Sequence, residues 1–131
     1  MDLAVNWIAV VIAAVGGMVV GMVWYSTLAK PWMAAAGLTE EDVQQEPGIY
    51  IVAVICQAIM AYSMAALISH FGEATIGNGI MSAVVIWIGF VMTTMSVNHR
   101  FQSKPWSLTF IDGGHWLAVL LVMGIIIGLM G

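Results

Sequence analysis

Four apolar stretches, each 22 to 26 residues long and almost free of charge, are separated by short polar connections: residues 3–28, 49–71, 76–97 and 107–130. At about 1.5 Å per residue, a helix of that length crosses the ~30 Å hydrocarbon core of a bilayer. None of the four alternates apolar with polar residues, so barrel strands are excluded. Helices follow, because lipid leaves every backbone N–H and C=O to be satisfied within its own segment. The pattern predicts an all-α membrane protein: a single four-helix transmembrane domain over residues 1–131, with its spans arranged as two helical hairpins. The first span is read as a span and not a cleaved leader, because Met1-Asp2 brings no Lys or Arg and the apolar run outlasts a signal's core.

Composition agrees. Of 131 residues, 62% are apolar and 8% charged, against about 25% charged in an average soluble domain. With Lys and Arg totalling 3, no phosphate-tracking patch can form, which excludes nucleic acid as a partner; the expected partner is the lipid bilayer. A lone Cys56 excludes an internal disulfide and any Cys-rich metal site.

The few cations also set an orientation. Lys30 lies in the first connection and Arg100 and Lys104 in the third, while the second connection and both termini have none. That bias places connections 29–48 and 98–106 in the cytoplasm and both termini outside, across the cytoplasmic (inner) membrane. The long first connection carries Thr39 and Asp42 at capping-box spacing, followed by Pro47-Gly48, and predicts a short interfacial helix over residues 39–46.

Lys30-Pro31-Trp32 recurs as Lys104-Pro105-Trp106, each time after an odd-numbered span. Trp24, Trp32 and Trp106 are placed to anchor the membrane–water boundary. On the third span Asn78, Ser82, Gly89, Thr93, Ser96 and Arg100 fall on one helical stripe, and a shift of 72 residues brings Asn78 and Gly89 onto Asn6 and Gly17. The two hairpins therefore read as a possible tandem repeat; the competing account is that any buried helix face collects small and polar residues. Either way, helices in lipid associate through small residues and interhelical hydrogen bonds. Gly17, Gly21 and the Asn78–Ser96 row are the expected packing faces, with Gln57 seeking a Ser or Thr of the third span. The fourth span has a polar side, Asp112 and His115, and a separate glycine side, Gly124 and Gly128. Two packing surfaces on the last helix imply two neighbours, one of them another subunit: a homo-oligomer or a larger membrane complex.

Asp112 is the one carboxylate well inside a span, and a charge there is costly unless paired or wetted. Around it at the same depth gather His99, Arg100, Lys104, His115, Tyr25 and Ser26. Three readings stay open: a staple in which Arg100, or secondarily Lys104, pairs with Asp112 across the third connection; a cytoplasm-facing polar pocket in which Asp112 exchanges a proton or binds a solute; and metal or haem ligation by His99, Asp112 and His115. No Ser/His/Asp order, phosphate-cradling glycine loop or HExxH spacing appears, so no catalytic residue, metal or cofactor is expected.

The runs Gly21-Met22-Val23-Trp24-Tyr25-Ser26 and Lys30-Pro31-Trp32-Met33, with Asn98-His99-Arg100-Phe101, Lys104-Pro105-Trp106 and Ile111-Asp112-Gly113-Gly114-His115, resemble the domain of unknown function 1761 family. The resemblance implies a small four-span integral membrane protein without an assigned activity. It marks Trp24, Tyr25, Trp32, Trp106 and Asp112 as signature positions and assigns them no role. The functional expectation is a minor transporter or channel-like module built on the Asp112 pocket. The alternatives are a non-catalytic accessory subunit of a larger complex and a membrane enzyme or haem protein.

Overall fold

A computed structural model describes residues 4–43 and 46–131. Helix α1 (Trp7–Thr27) is followed by short α2 (Ala29–Ala36), then α3 (Pro47–Phe71), α4 (Ile76–Ile86), a π-helical segment (Trp87–Val91), α5 (Met92–Phe101) and α6 (Trp106–Met130). The described residues contain no strand. Four helical runs are long and apolar enough to cross a membrane: α1, α3, the continuous run Ile76–Phe101, and α6. Outward-facing aliphatics such as Ile8, Val11 and Val19 are more than half exposed, the mark of a helix whose outer solvent is hydrocarbon.

The expected helix over residues 39–46 does not form where it is described. Residues 40–43 make a turn, and Gln44 and Gln45 lie outside the described residues. The capping geometry is nevertheless present: the Thr39 backbone N–H and hydroxyl both donate to Asp42 Oδ2, each at 2.9 Å. With no apolar face to bury, one capped turn gains nothing by extending. A short helix comes earlier, at α2, after the chain breaks step at Leu28. Pro31 fits there because the first-turn N–H groups of a helix lack intrahelical partners. Gly37 ends α2 at φ 72°, a left-handed position that suits glycine.

The bundle is organised around its last helix. α6 packs most extensively along α4 and α1, and α1 in turn packs on α3. Both surfaces of α6 thus find neighbours within the chain. The glycine side meets α4: a Cβ on Gly79 would collide with the Gly124 backbone, and one on Gly128 with the Thr75 carbonyl. The polar side meets α1 and α2.

The stripe expected on the third span is broken. Gly79 and Ala83 are buried, one residue round from Asn78 and Ser82. Gly89 faces open space and Thr93 is exposed. Beyond Ile86 a π segment moves the phase further: the Met92 N–H bonds to the Trp87 carbonyl, five residues back, and each such turn absorbs one extra residue, about 100° of helical phase. Its local cause is also visible. Five-residue spacing lets Trp87 and Met92 both land on Gly113: the Trp87 indole donates to the Gly113 carbonyl at 2.8 Å, and a Cβ on Gly113 would strike the Met92 sulfur.

Gln57 is buried, with 5% exposure, but its neighbour is Gly17 of α1 rather than a hydroxyl of the third span. A Cβ on Gly17 would overlap Gln57 Oε1, and that oxygen has no hydrogen-bond partner among the described residues.

Candidate functional site

The end of the bundle that carries Lys30, Arg100 and Lys104, the basic end, also holds Tyr25, Trp32, Asp112 and His115. Tyr25 stands in the last turn of α1, Trp32 on α2, and Asp112 with His115 one turn apart near the start of α6. The Tyr25 hydroxyl donates to Asp112 Oδ1 at 2.7 Å and the Trp32 indole N–H donates to the same oxygen at 3.1 Å. Oδ2 accepts no hydrogen bond from the described residues. A bond from a neutral donor to a carboxylate is stronger than one between neutral groups, and two of them offset part of the cost of a charge at this depth.

His115 is only 4% exposed. Its ring lies 4.8 Å from that of Tyr25 and 4.5 Å from that of Trp116, centroid to centroid. Its Nδ1 is buried without a hydrogen-bond partner among the described residues. Gly21 makes room for it: a Cβ there would come to 3.2 Å from His115 Nε2. Gly21 thus acts as the floor of a ring, not as a site of helix-on-helix backbone contact.

Trp24 and Trp32 are turned into the bundle rather than left as boundary anchors. The Trp24 indole donates to the Ile111 carbonyl at 3.0 Å, over Gly114, where a Cβ would come to 2.8 Å from the indole ring. Trp24 and Trp87 therefore grip α6 from two sides, on carbonyls two residues apart. Trp106 remains 52% exposed.

The expected Arg100–Asp112 pair does not form. Arg100 sits in the last turn of α5, which runs beyond residue 97. Its Nη2 donates to Thr109 Oγ1 at 2.7 Å and to the Pro105 carbonyl at 3.2 Å, and its guanidinium carbon lies 3.6 Å from the centroid of the Trp106 ring. Nε and Nη1 are buried with no partner among the described residues. Lys104 does not reach Asp112 either; its ammonium donates to the Ala36 carbonyl at 2.8 Å, the C-terminal end of α2, where a cation is favoured. His99 Nδ1 lies 2.8 Å from Thr109 Oγ1. Thr109, fully buried, is thus the hub of a second polar group that residue spacing did not single out. Ser26 is exposed and outside both groups.

Two clusters therefore replace the single one expected: Asp112, His115, Tyr25 and Trp32 on one side of α6, and His99, Arg100 and Thr109 toward its start. This separation also divides the proposed ligand set. No three His, Cys, Asp or Glu among the described residues are grouped to hold a metal ion, and His99 and His115 serve different neighbours.

The family model for proteins of unknown function designated DUF1761 matches residues 8–128, nearly the whole chain. The chain belongs to that family. No curated protein and no solved structure matches it. Four apolar spans and membership of the DUF1761 family agree that this is an integral membrane protein.

Proposed function

We propose that this DUF1761 protein is a small transporter-like membrane module whose working group is Asp112, with the basic end in the cytoplasm and both termini outside the cytoplasmic membrane. The observation that carries the reading is a carboxylate within a span with no cation against it. One of its oxygens is held by Tyr25 and Trp32, the other has no donor among the described residues, and one turn on is an imidazole nitrogen, His115 Nδ1, also without a partner among them. The oxygen without a donor offers an acceptor to a hydrogen-bonding solute or a transferred proton. The orientation rests on all three Lys and Arg residues lying at one end.

A second reading has its own support. Asp112 Oδ1 ties α1 and α2 to α6 at once, which is what a structural staple would do. Proteoliposomes carrying the purified protein and an internal pH dye separate the two. Proton entry under an imposed gradient that disappears in Asp112→Asn, with the melting temperature held, supports the working-group reading. Wild-type vesicles no leakier than empty ones, with only the melting temperature falling in Asp112→Asn, establish the staple.

A further inference from the structure

Two polar side chains are sealed in the bundle with atoms left over. Gln57 and His115 are 5% and 4% exposed, and Gln57 Oε1 and His115 Nδ1 have no hydrogen-bond partner among the described residues. Both stand over one face of α1, on adjacent turns. A Cβ on Gly17 would overlap Gln57 Oε1, and one on Gly21 would come to 3.2 Å from His115 Nε2. The two places differ in how tightly they are filled. Over Gly17 that Cβ would also meet Met123 Cε at 2.8 Å, whereas over Gly21 the Nε2 nitrogen is the one atom of another helix within 4 Å among the described residues. One turn further along the seam of α1 and α3 stand Ala13 and Ala61, neither with any exposure. Beyond them Ala9, Ala65, Asn6 and Ser69 border a cavity of about 150 Å³ at the end bearing the chain termini. A broken row of polar groups therefore runs from Asp112 through His115 and Gln57 toward the opposite face of the bundle.

We infer that the substrate of the Asp112 site is the proton, and that Gln57 is the positioning residue that receives it over Gly21 on the way inward, an inference that rests on Asp112 being the working group. Size decides against a solute: beside Gln57 the seam has no room for an added methyl, so a solute would have to part α1 from α3 there. Chemistry favours the proton. Gln57 Oε1 is an acceptor only, and an imidazole with its hydrogen on Nδ1 has a lone pair on Nε2. Acceptors on both sides of one water-sized space suit a water that carries an extra hydrogen to donate. The step balances. The O–H bond of a protonated Asp112 breaks, and its electron pair stays on the carboxylate that Tyr25 and Trp32 hold. Carried by water, the proton forms an N–H bond at the Nε2 lone pair, and one positive charge has moved inward. The imidazolium donates through the water over Gly21 to Gln57 Oε1, and becomes neutral again when its proton leaves on that water. A buried acceptor unmet at rest costs stability, which is expected where a group is kept for a transient partner.

Proteoliposomes of the purified full-length protein with an internal pH dye, under an imposed proton gradient, test the route. Gln57→Met replaces the acceptor with an apolar chain of similar length. It should slow proton entry about tenfold or more, the effect of losing one hydrogen bond to a charged group, without lowering the melting temperature. Gly21→Ala, which puts a methyl into the space beside His115 Nε2, should slow entry comparably. Exchanging external sodium for potassium or choline should leave the rate unchanged. A full rate in Gln57→Met or in Gly21→Ala, with entry abolished in Asp112→Asn, overturns the route past Gln57 and leaves Asp112 as the working group. A slower Gln57→Met that also melts lower reports damage to the fold and overturns the route as well. A rate that follows the identity of the external cation overturns the proton as the substrate. Wild-type vesicles no leakier than empty ones overturn the route and the Asp112 reading together.

Discussion

The two halves of this bundle are held by different physics. At the end bearing the chain termini, the contact between α4 and α6 is backbone on backbone, glycine facing glycine at Gly79 and Gly124. Around it lies a core of small and aliphatic side chains: Val10, Ala13, Ala61, Ala83, Val119, Met123 and Ile127. At the basic end, glycines instead make room for rings and sulfur, Gly114 under Trp24, Gly21 under His115 and Gly113 under Met92. Cohesion there comes from indole and phenol donors. Because lipid removes the hydrophobic drive between helices, only close packing and hydrogen bonds are available, and the chain uses one at each end. The first kind tolerates no added atom; the second tolerates substitution in proportion to the bonds lost.

The sharpest break in that contrast is Gly124→Val. Its side chain would have to displace the α4 backbone, so a loss of about 3 kcal/mol or more, the upper range of overpacking, is expected. Unfolding in mixed detergent micelles measures it. Gly89→Ala, where a Cβ meets nothing within 4 Å, should change stability by less than about 0.5 kcal/mol. Comparable losses at the two positions would contradict the backbone contact.

At the other half, Tyr25→Phe removes one donor to Asp112 and leaves the ring packing intact. A loss of about 2 kcal/mol is expected if the carboxylate is charged. A double-mutant cycle with Asp112→Asn should return a coupling near 1 kcal/mol. Zero coupling would show that the 2.7 Å contact adds nothing to the fold.

Between the halves lies Gln57, and here the expected sign reverses. Its Oε1 is buried beside Gly17 and has no partner among the described residues. Gln57→Met keeps the shape and removes the unmet acceptor, so the protein should gain about 1 kcal/mol. A loss instead would mean that the amide has a partner which exists only in the bilayer.

The fold class was legible because hydropathy over twenty residues needs no knowledge of neighbours. The site was legible in part. Tyr25 lies against both Asp112 and His115, and equal distance from a helix end is a good proxy for that shared height. The same proxy misassigned Arg100. Nearness along the chain suggested Asp112, but the guanidinium leaves α5 toward Thr109 and Trp106. The third-span stripe was unreadable beyond Ile86, because a π turn shifts the phase and no residue type announces it. Trp24 and Trp32 were read as boundary anchors from residue type alone. A sharper clue was available: each carries an N–H that needs an acceptor, and each stands level with a helix carrying a carboxylate and small residues.

The smallest effect concerns the connection outside both halves, where the chemistry at Asp112 is repeated in water. Thr39 donates its backbone N–H and its hydroxyl to Asp42, and these bonds, the backbone one foremost, hold the Asp42 carboxyl below its ordinary value. The sign follows from linkage: the turn's support is complete above the unfolded carboxylate pKa of about 3.9 and is lost as pH falls through the lower folded value. Carbonyl NMR should place the Asp42 midpoint below that of a free aspartate. Thr39→Val deletes the hydroxyl and spares the backbone bond, so it should move the midpoint only part of the way back, without a measurable change in melting temperature. Tyr25→Phe, deleting an equivalent hydroxyl at the membrane depth of Asp112, should lower that temperature. If the two variants melt alike, the solvent around the carboxylate is not what distinguishes them, and the basic half of the bundle owes its cohesion to ring packing alone.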